Sequence, residues 1–311
     1  MKANNTYFHS NGKLLISGEY LVLEGATALA LPINKGQSLT IKSNENHGIL
    51  NWIAKHKNGN WFQTKINTSN FEILFTDNQI LSKHLVKILR ITKQLNSEFL
   101  NPQNGFSVTT NLEFLPQHGF GSSSTLINNI ANWAKGDAFK LQELTFKGSG
   151  YDIACAMKNN AIFFKLENNK PIVENANFNP LFSENLYFVY LGKKQKSLES
   201  IKSFRQNAKF SFHDINEISN ISKLMVETNN LKDFENLIET HEKIISRVIG
   251  RQKIKDLLFK DFHGSVKSLG GWGGDFVLMS TEMEKADFKN YLKKNNFETF
   301  YNFSDLLIKE Y

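Results

Sequence analysis

Between Pro116 and Ser124 the chain reads Pro-Gln-His-Gly-Phe-Gly-Ser-Ser-Ser, and an apolar stripe of Leu126, Ile127, Ile130, Trp133 and Ala134 follows at helical spacing. A glycine loop that opens into a helix presents backbone N–H groups and the positive end of the helix dipole, a combination that binds anions. Glycine at 119 and 121 lets an anion come close to the main chain. The hydroxyls of Ser122 and Ser123 would add hydrogen bonds or a magnesium ligand. The same letters also spell a plain turn with a serine helix cap, and the Gly-Lys-Ser/Thr ending of a Walker loop is missing. On these residues alone the two readings stand level.

Other residues of chemical interest are dispersed. Asp152 follows Gly148-Ser149-Gly150-Tyr151, where a helix start alone would favour an acidic side chain. Lys13 opens a strand-like run. Lys193, Lys194 and Lys196, with Ser197 and Arg205 nearby, form a tight basic cluster suited to a phosphate or to a solvated loop. Gly270, Gly271, Gly273 and Gly274 precede the strand-like Phe276–Ser280, as a ligand-hugging loop or a simple turn. His241 falls on an apolar helix stripe and reads as a core histidine; Cys155 reads as packing.

The elements that must position these groups are those of a globular chain. Of 311 residues, 41% are hydrophobic and 22% charged, which excludes wholesale disorder. One cysteine excludes an intramolecular disulfide, and no Cys/His cluster has zinc spacing. No secretory h-region and no apolar run of the roughly 18–20 residues of a membrane span is present, so the cytosol is the expected compartment. The net charge of +7 is interleaved with acids, which argues against nucleic acid as the main partner. Strands are expected at Lys13–Ser17, Leu21–Leu23, Ala28–Pro32 and Ser38–Ser43, and a hairpin joins Ile49–Ala54 to Trp61–Ile66 through Asn58-Gly59. Helices are expected at Leu81–Leu95, from Ser122, up to Met157, over Asp214–Val226 and over Leu231–Val248, with Gly250 as cap.

Three segments in order, Ser10–Gly25 with its Gly-Lys-Leu-Leu and Gly-Glu-Tyr-Leu-Val-Leu runs, Pro116–Ser124, and Gly270-Gly271-Trp272-Gly273-Gly274-Asp275-Phe276, resemble the three motifs of the GHMP kinases. A fourth, Gly148-Ser149-Gly150-Tyr151-Asp152-Ile153-Ala154, is similar to the segment carrying the acidic catalytic residue in the mevalonate-pathway members. The resemblance implies a two-domain α/β chain. Residues 1–178 would form an ATP-binding domain like the ribosomal-protein S5 domain 2, and 179–311 a ferredoxin-like domain, with ATP and acceptor meeting in the cleft between them. It implies ATP and Mg2+ as cofactors and phosphoryl transfer to phosphomevalonate first, mevalonate second.

Residue by residue, the resemblance makes Asp152 the general base or orienting group and Lys13 the neutralising cation. Pro116, Gly119, Phe120, Gly121, Ser122, Ser123 and Ser124 would hold ATP phosphates. Glu19, Ser149, Lys196, Ser197, Gly271, Gly273 and Gly274 would line the acceptor, and Ser122 with Glu143 would hold the metal. The partner is a small molecule, with neither nucleic acid nor membrane expected and a homodimer left open.

Departures from the family pattern are visible too. Asn11 stands where a proline is usual, Ser124 and Thr125 replace small residues, Trp272 interrupts the last glycine run, and the interval from Ser124 to Asp152 is short, with Glu143 its sole glutamate. Diphosphomevalonate decarboxylase and a turnover-free metabolite- or partner-binding protein of the same fold are the alternative readings; an RNA-binding module is the rival from another class.

Overall fold

The computed structural model describes residues 5–193, 195 and 197–308. Its strands are β1 (Thr6–Ser17), β2 (Ala28–Asn44), β3 (Ile49–His56), β4 (Gly59–Asn67), β5 (Ile73–Thr76), β6 (Gly105–Leu112), β7 (Ile162–Glu167), β8 (Lys170–Asn175), β9 (Leu186–Tyr190), β10 (Ser265–Ser268), β11 (Phe276–Ser280) and β12 (Phe300–Asn302). Its helices are α1 (Gln79–Leu95), α2 (Ser122–Trp133), α3 (Ala138–Thr145), α4 (Tyr151–Met157), α5 (Ser197–Asn207), α6 (Phe212–Glu227), α7 (Leu231–Ile249), α8 (Ile254–Leu258), α9 (Lys285–Lys294) and α10 (Phe303–Leu306). Packing divides the chain into two compact units. The first holds the chain up to Gly12, Lys35–Pro116 and Phe120–Met157; the second holds Lys13–Asn34, Gln117–Gly119 and the chain from Lys158 onward.

In the first unit the strand order is β5-β4-β3-β6-β2. The β3·β6 pair is parallel and its neighbours are antiparallel. A parallel pair needs a crossover, and α1 lies in that connection. Its stripe of Leu85, Ile88 and Leu89 packs with Leu50, Trp52 and Val108 of the sheet and Ile127 and Ile130 of α2. Asn78 caps α1 by accepting from Leu81 N–H. The expected hairpin forms β3 and β4, closed by Lys57 and Asn58 with Gly59 at φ +120°.

The second unit contains the start of β2 paired with β7, then β8, and a separate antiparallel sheet in the order β10-β11-β9-β12. Tyr187, Val189, Val277, Met279 and Phe288 form the core of that sheet's helical side. Ser211 and Asp214 close a capping box at the start of α6, and Gly250, at φ +64°, ends α7 as expected.

Two expectations are corrected. Leu21–Leu23 is a 3-10 turn, because Gly18 at φ +89° and Gly25 at φ +92° bend the chain there, and a Cβ on Gly18 would fall 2.7 Å from Ala28 Cα. The segments at Ala28–Pro32 and Ser38–Ser43 are one strand, β2, since Gly36 stays extended. Among the described residues no helix is long and apolar enough to cross a membrane.

Candidate active site

In the first unit, α2 starts at Gly121, whose φ of +91° places it in the left-handed region. No side chain caps the helix, so the serine-cap reading fails and the leading N–H groups keep their anion-binding capacity. Ser124 is buried and donates its hydroxyl to Gly121 O at 2.8 Å. Ser122 is half-buried and Ser123 exposed, and neither hydroxyl has a hydrogen bond among the described residues. Behind them, Thr125 Oγ1 donates to Gln37 Oε1 at 2.8 Å and Asn129 Nδ2 to Gln37 O at 2.8 Å. Ser10 Oγ donates to Asn129 Oδ1 at 2.7 Å. These buried bonds tie α2 to β1 and β2 and fix the direction in which its N-terminus points.

Asp152 sits in the first turn of α4, which packs against α2. Its carboxylate is partly exposed, and Gln142 Nε2 of α3 donates to Oδ1 at 2.8 Å. Gly150, at φ +98°, leads into α4 with Phe139 Cδ1 only 3.1 Å from where a Cβ would stand. Gln142 is buried, and sequence reading missed it; its signal was a polar residue on the inward face of an amphipathic helix. Ser149 is half-buried beside this turn.

In the second unit, the short turn Gln117–Gly119 is gripped by side chains. Lys13 Nζ donates to Gly119 O at 2.9 Å, and Tyr190 Oη donates to Gln117 O at 3.1 Å. The His118 ring lies 4.9 Å from that of Tyr190 and 5.9 Å from that of Phe276. Tyr20 Oη donates to Gly271 O at 2.8 Å, linking the glutamate-bearing turn to the C-terminal glycines. Within those glycines, Trp272 adopts φ +55° and is buried, with no acceptor for its indole N–H among the described residues. A Cβ on Gly274 would lie 2.6 Å from Lys193 O, and one on Gly271 3.0 Å from Gln195 Cβ. Gly273 takes φ +81°. The glycines are therefore required by close approach of the segment after β9.

Glu19 is fully buried. Lys267 Nζ donates to its Oε1 at 2.7 Å, and His241 Nε2 lies 3.1 Å from its Oε2 while accepting from Gly18 N–H. Glu242, also buried, stands 3.7 Å from Lys267 Nζ and accepts from Ser268 N–H. Burial alone would raise the Glu19 carboxyl, but the Lys267 ammonium and the His241 ring outweigh it and hold it below its ordinary value. The Glu19 carboxylate, expected to line the acceptor, is engaged inside the second unit by Lys267 and lies beside His241. His241 is a core residue as read, but in an ionic cluster rather than an apolar one.

Glu143 does not fit a metal ligand. Its side chain is 67% exposed on α3 and ion-paired with Lys140 at 2.8 Å, and among the described residues no three His, Cys, Asp or Glu side chains gather as a metal site. Lys194 and Lys196 lie outside the described residues, and Ser197 begins α5. Cys155 is buried in α4.

No protein-family model matches the sequence, and no curated protein matches it. Similarity appears in solved structures. The mevalonate kinase of Methanococcus jannaschii superposes with a TM-score of 0.72 at 17% identity, covering 100% of both chains. The phosphomevalonate kinase of Streptococcus pneumoniae, in complex with phosphomevalonate and AMPPNP, gives 0.70 at 14% identity over 95% of this chain and 99% of that one. The galactokinase of Lactococcus lactis, complexed with galactose, gives 0.63 at 12% identity over 98% and 94%. With its large mixed sheet, its separate antiparallel sheet and end-to-end superposition on these enzymes, the chain has the GHMP kinase fold.

Proposed function

We propose that the chain is an ATP-dependent phosphotransferase acting on a small hydroxyl-bearing acceptor, phosphomevalonate first and mevalonate second. The observation that carries this reading is the uncapped start of α2 at Gly121, with two uncommitted serine hydroxyls in its first turn and the Asp152 helix packed against it. ATP supplies the γ-phosphoryl group when bound. The α2 N-terminus and Ser122 and Ser123 receive phosphate oxygens, as donors fixed in advance of the reaction. Asp152, kept in one orientation by Gln142, accepts or orients the acceptor hydroxyl proton. Lys13 neutralises charge that develops on the transferred group. The similar S. pneumoniae enzyme, in complex with phosphomevalonate and AMPPNP, supports this choice of acceptor and nucleotide.

One observation favours a second reading, a metabolite-binding protein without turnover: Glu143, the sole glutamate of the interval before Asp152, is engaged by Lys140. The two separate by ADP release measured with phosphomevalonate, mevalonate and no acceptor. Acceptor-dependent release that is lost in Asp152→Asn supports the kinase; its absence in the wild type supports the binding protein. Release of carbon dioxide together with phosphate would identify a decarboxylase.

A further inference from the structure

Asp275 ends the C-terminal glycine run in the left-handed region, at φ +54°, a conformation uncommon for a residue other than glycine. Its backbone is held on both sides: its N–H donates to Lys193 O at 2.6 Å and its carbonyl accepts from Leu191 N–H at 2.8 Å. Its Oδ1 accepts from Gln195 N–H at 3.1 Å. The carboxyl group also fills the place beside Gly119 where a side chain would begin, since a Cβ built there would stand 2.5 Å from Asp275 Cγ. Gly119 is the residue whose carbonyl receives Lys13 Nζ. The first glycine of the loop is thus explained by an internal carboxylate rather than by a bound phosphate. One side chain joins the peptide that holds Lys13 to the segment that carries the basic cluster after β9.

We infer that Asp275 is a positioning residue, which locks the Gly119 peptide in register with the backbones of Leu191, Lys193 and Gln195 so that Lys13 faces the anionic acceptor. This inference rests on the phosphotransferase reading. Removing a charge-assisted hydrogen bond and its packing against Gly119 should therefore weaken acceptor binding and spare the chemical step.

The test is steady-state kinetics on the full chain with phosphomevalonate, alongside thermal unfolding of each variant. Asp275→Ala is expected to raise the acceptor KM about tenfold or more, with kcat within about threefold. Gly119→Ala should lose activity through collision with Asp275. Combining it with Asp275→Ala should recover part of that loss, because the two sites are coupled. Unchanged KM in folded Asp275→Ala, or additive losses in the double variant, would each overturn the role while leaving the kinase standing. Wild-type protein that releases no ADP with any acceptor overturns the kinase reading, and the role with it.

Discussion

Glu19 and Asp152 carry the same functional group and are both marked by the family motifs, yet they occupy opposite environments. Glu19 is sealed in the second unit, with Lys267 on one oxygen and His241 beside the other. Asp152 stands partly exposed in the first unit at the head of a short helix, and its carboxylate accepts from one neutral amide, that of Gln142. A carboxylate has about four lone-pair sites. Glu19 directs its capacity to the fixed Lys267 ammonium and so holds the fold; Asp152 keeps lone pairs open to solvent, as the proposed hydroxyl acceptor requires. The motif letters identify both residues as important, and the environment decides what each is important for.

The largest effect should come from Asp152→Asn, which keeps shape and removes basicity. A fall in kcat of about 10²–10⁴-fold is expected, with the unfolding midpoint unchanged. If activity instead declined in step with the folded fraction, Asp152 would join Glu19 as a structural residue. The matching change on the other side is Lys267→Met, which leaves Glu19 and Glu242 buried without their ammonium. Loss of one partner in a buried ion pair costs about 3–5 kcal/mol, measurable by urea unfolding. Because Glu19 is held below its ordinary value in the folded state, its contribution is present above that value and fades as acid protonates it. A Lys267→Met protein of wild-type stability with a raised acceptor KM would move the cluster from the core to the binding site.

This contrast also marks what the sequence made legible. Periodicity and turn residues placed α1, α7 with its Gly250 end, the β3–β4 hairpin and the glycine-to-helix junction at Gly121, because those signals are local. Lys267 gave no signal: a lysine in a four-residue strand looks solvent-facing until a glutamate 248 positions away is brought to it. Gln142 touches Asp152 only ten residues on, so its inward polar position was its one mark; Asp275 stood in the last glycine motif, but its contact with Gly119 joins segments distant in sequence. Glycines were the reverse case. Gly119, Gly271 and Gly274 stood out in the sequence, but the atoms crowding them are Asp275, Gln195 and Lys193, which spacing alone does not reveal.

A third carboxylate tests whether ionic pairing graded by burial predicts effect size. Asp214 is buried in the α6 capping box, and the Arg247 guanidinium beside it holds its carboxyl down at about 2. Its folded value lies below the unfolded one, so the stabilisation is present above the ordinary value of 3.8 and disappears as pH falls through about 2. Arg247 is 58% exposed, and solvent screening reduces the pair to about 1 kcal/mol. Arg247→Met should therefore cost about that much at neutral pH and flatten the fall of stability between about pH 4 and 2. A loss as large as that of Lys267→Met would show that burial of both partners does not set the scale.

Glu143 completes the series at its exposed end. Its pairing with Lys140 three residues earlier on α3 leaves the carboxylate in water, where such pairs contribute little. Glu143→Gln should leave stability within error, and kcat, KM and the half-saturating magnesium concentration within about twofold of wild type. That outcome would mean phosphate charge is managed without a carboxylate from this interval. A rise of tenfold or more in the magnesium requirement, with stability unchanged, would show that Glu143 exchanges Lys140 for a cation when nucleotide binds. Exposure would then be the condition for its function, as the phosphotransferase reading makes partial exposure the condition for that of Asp152.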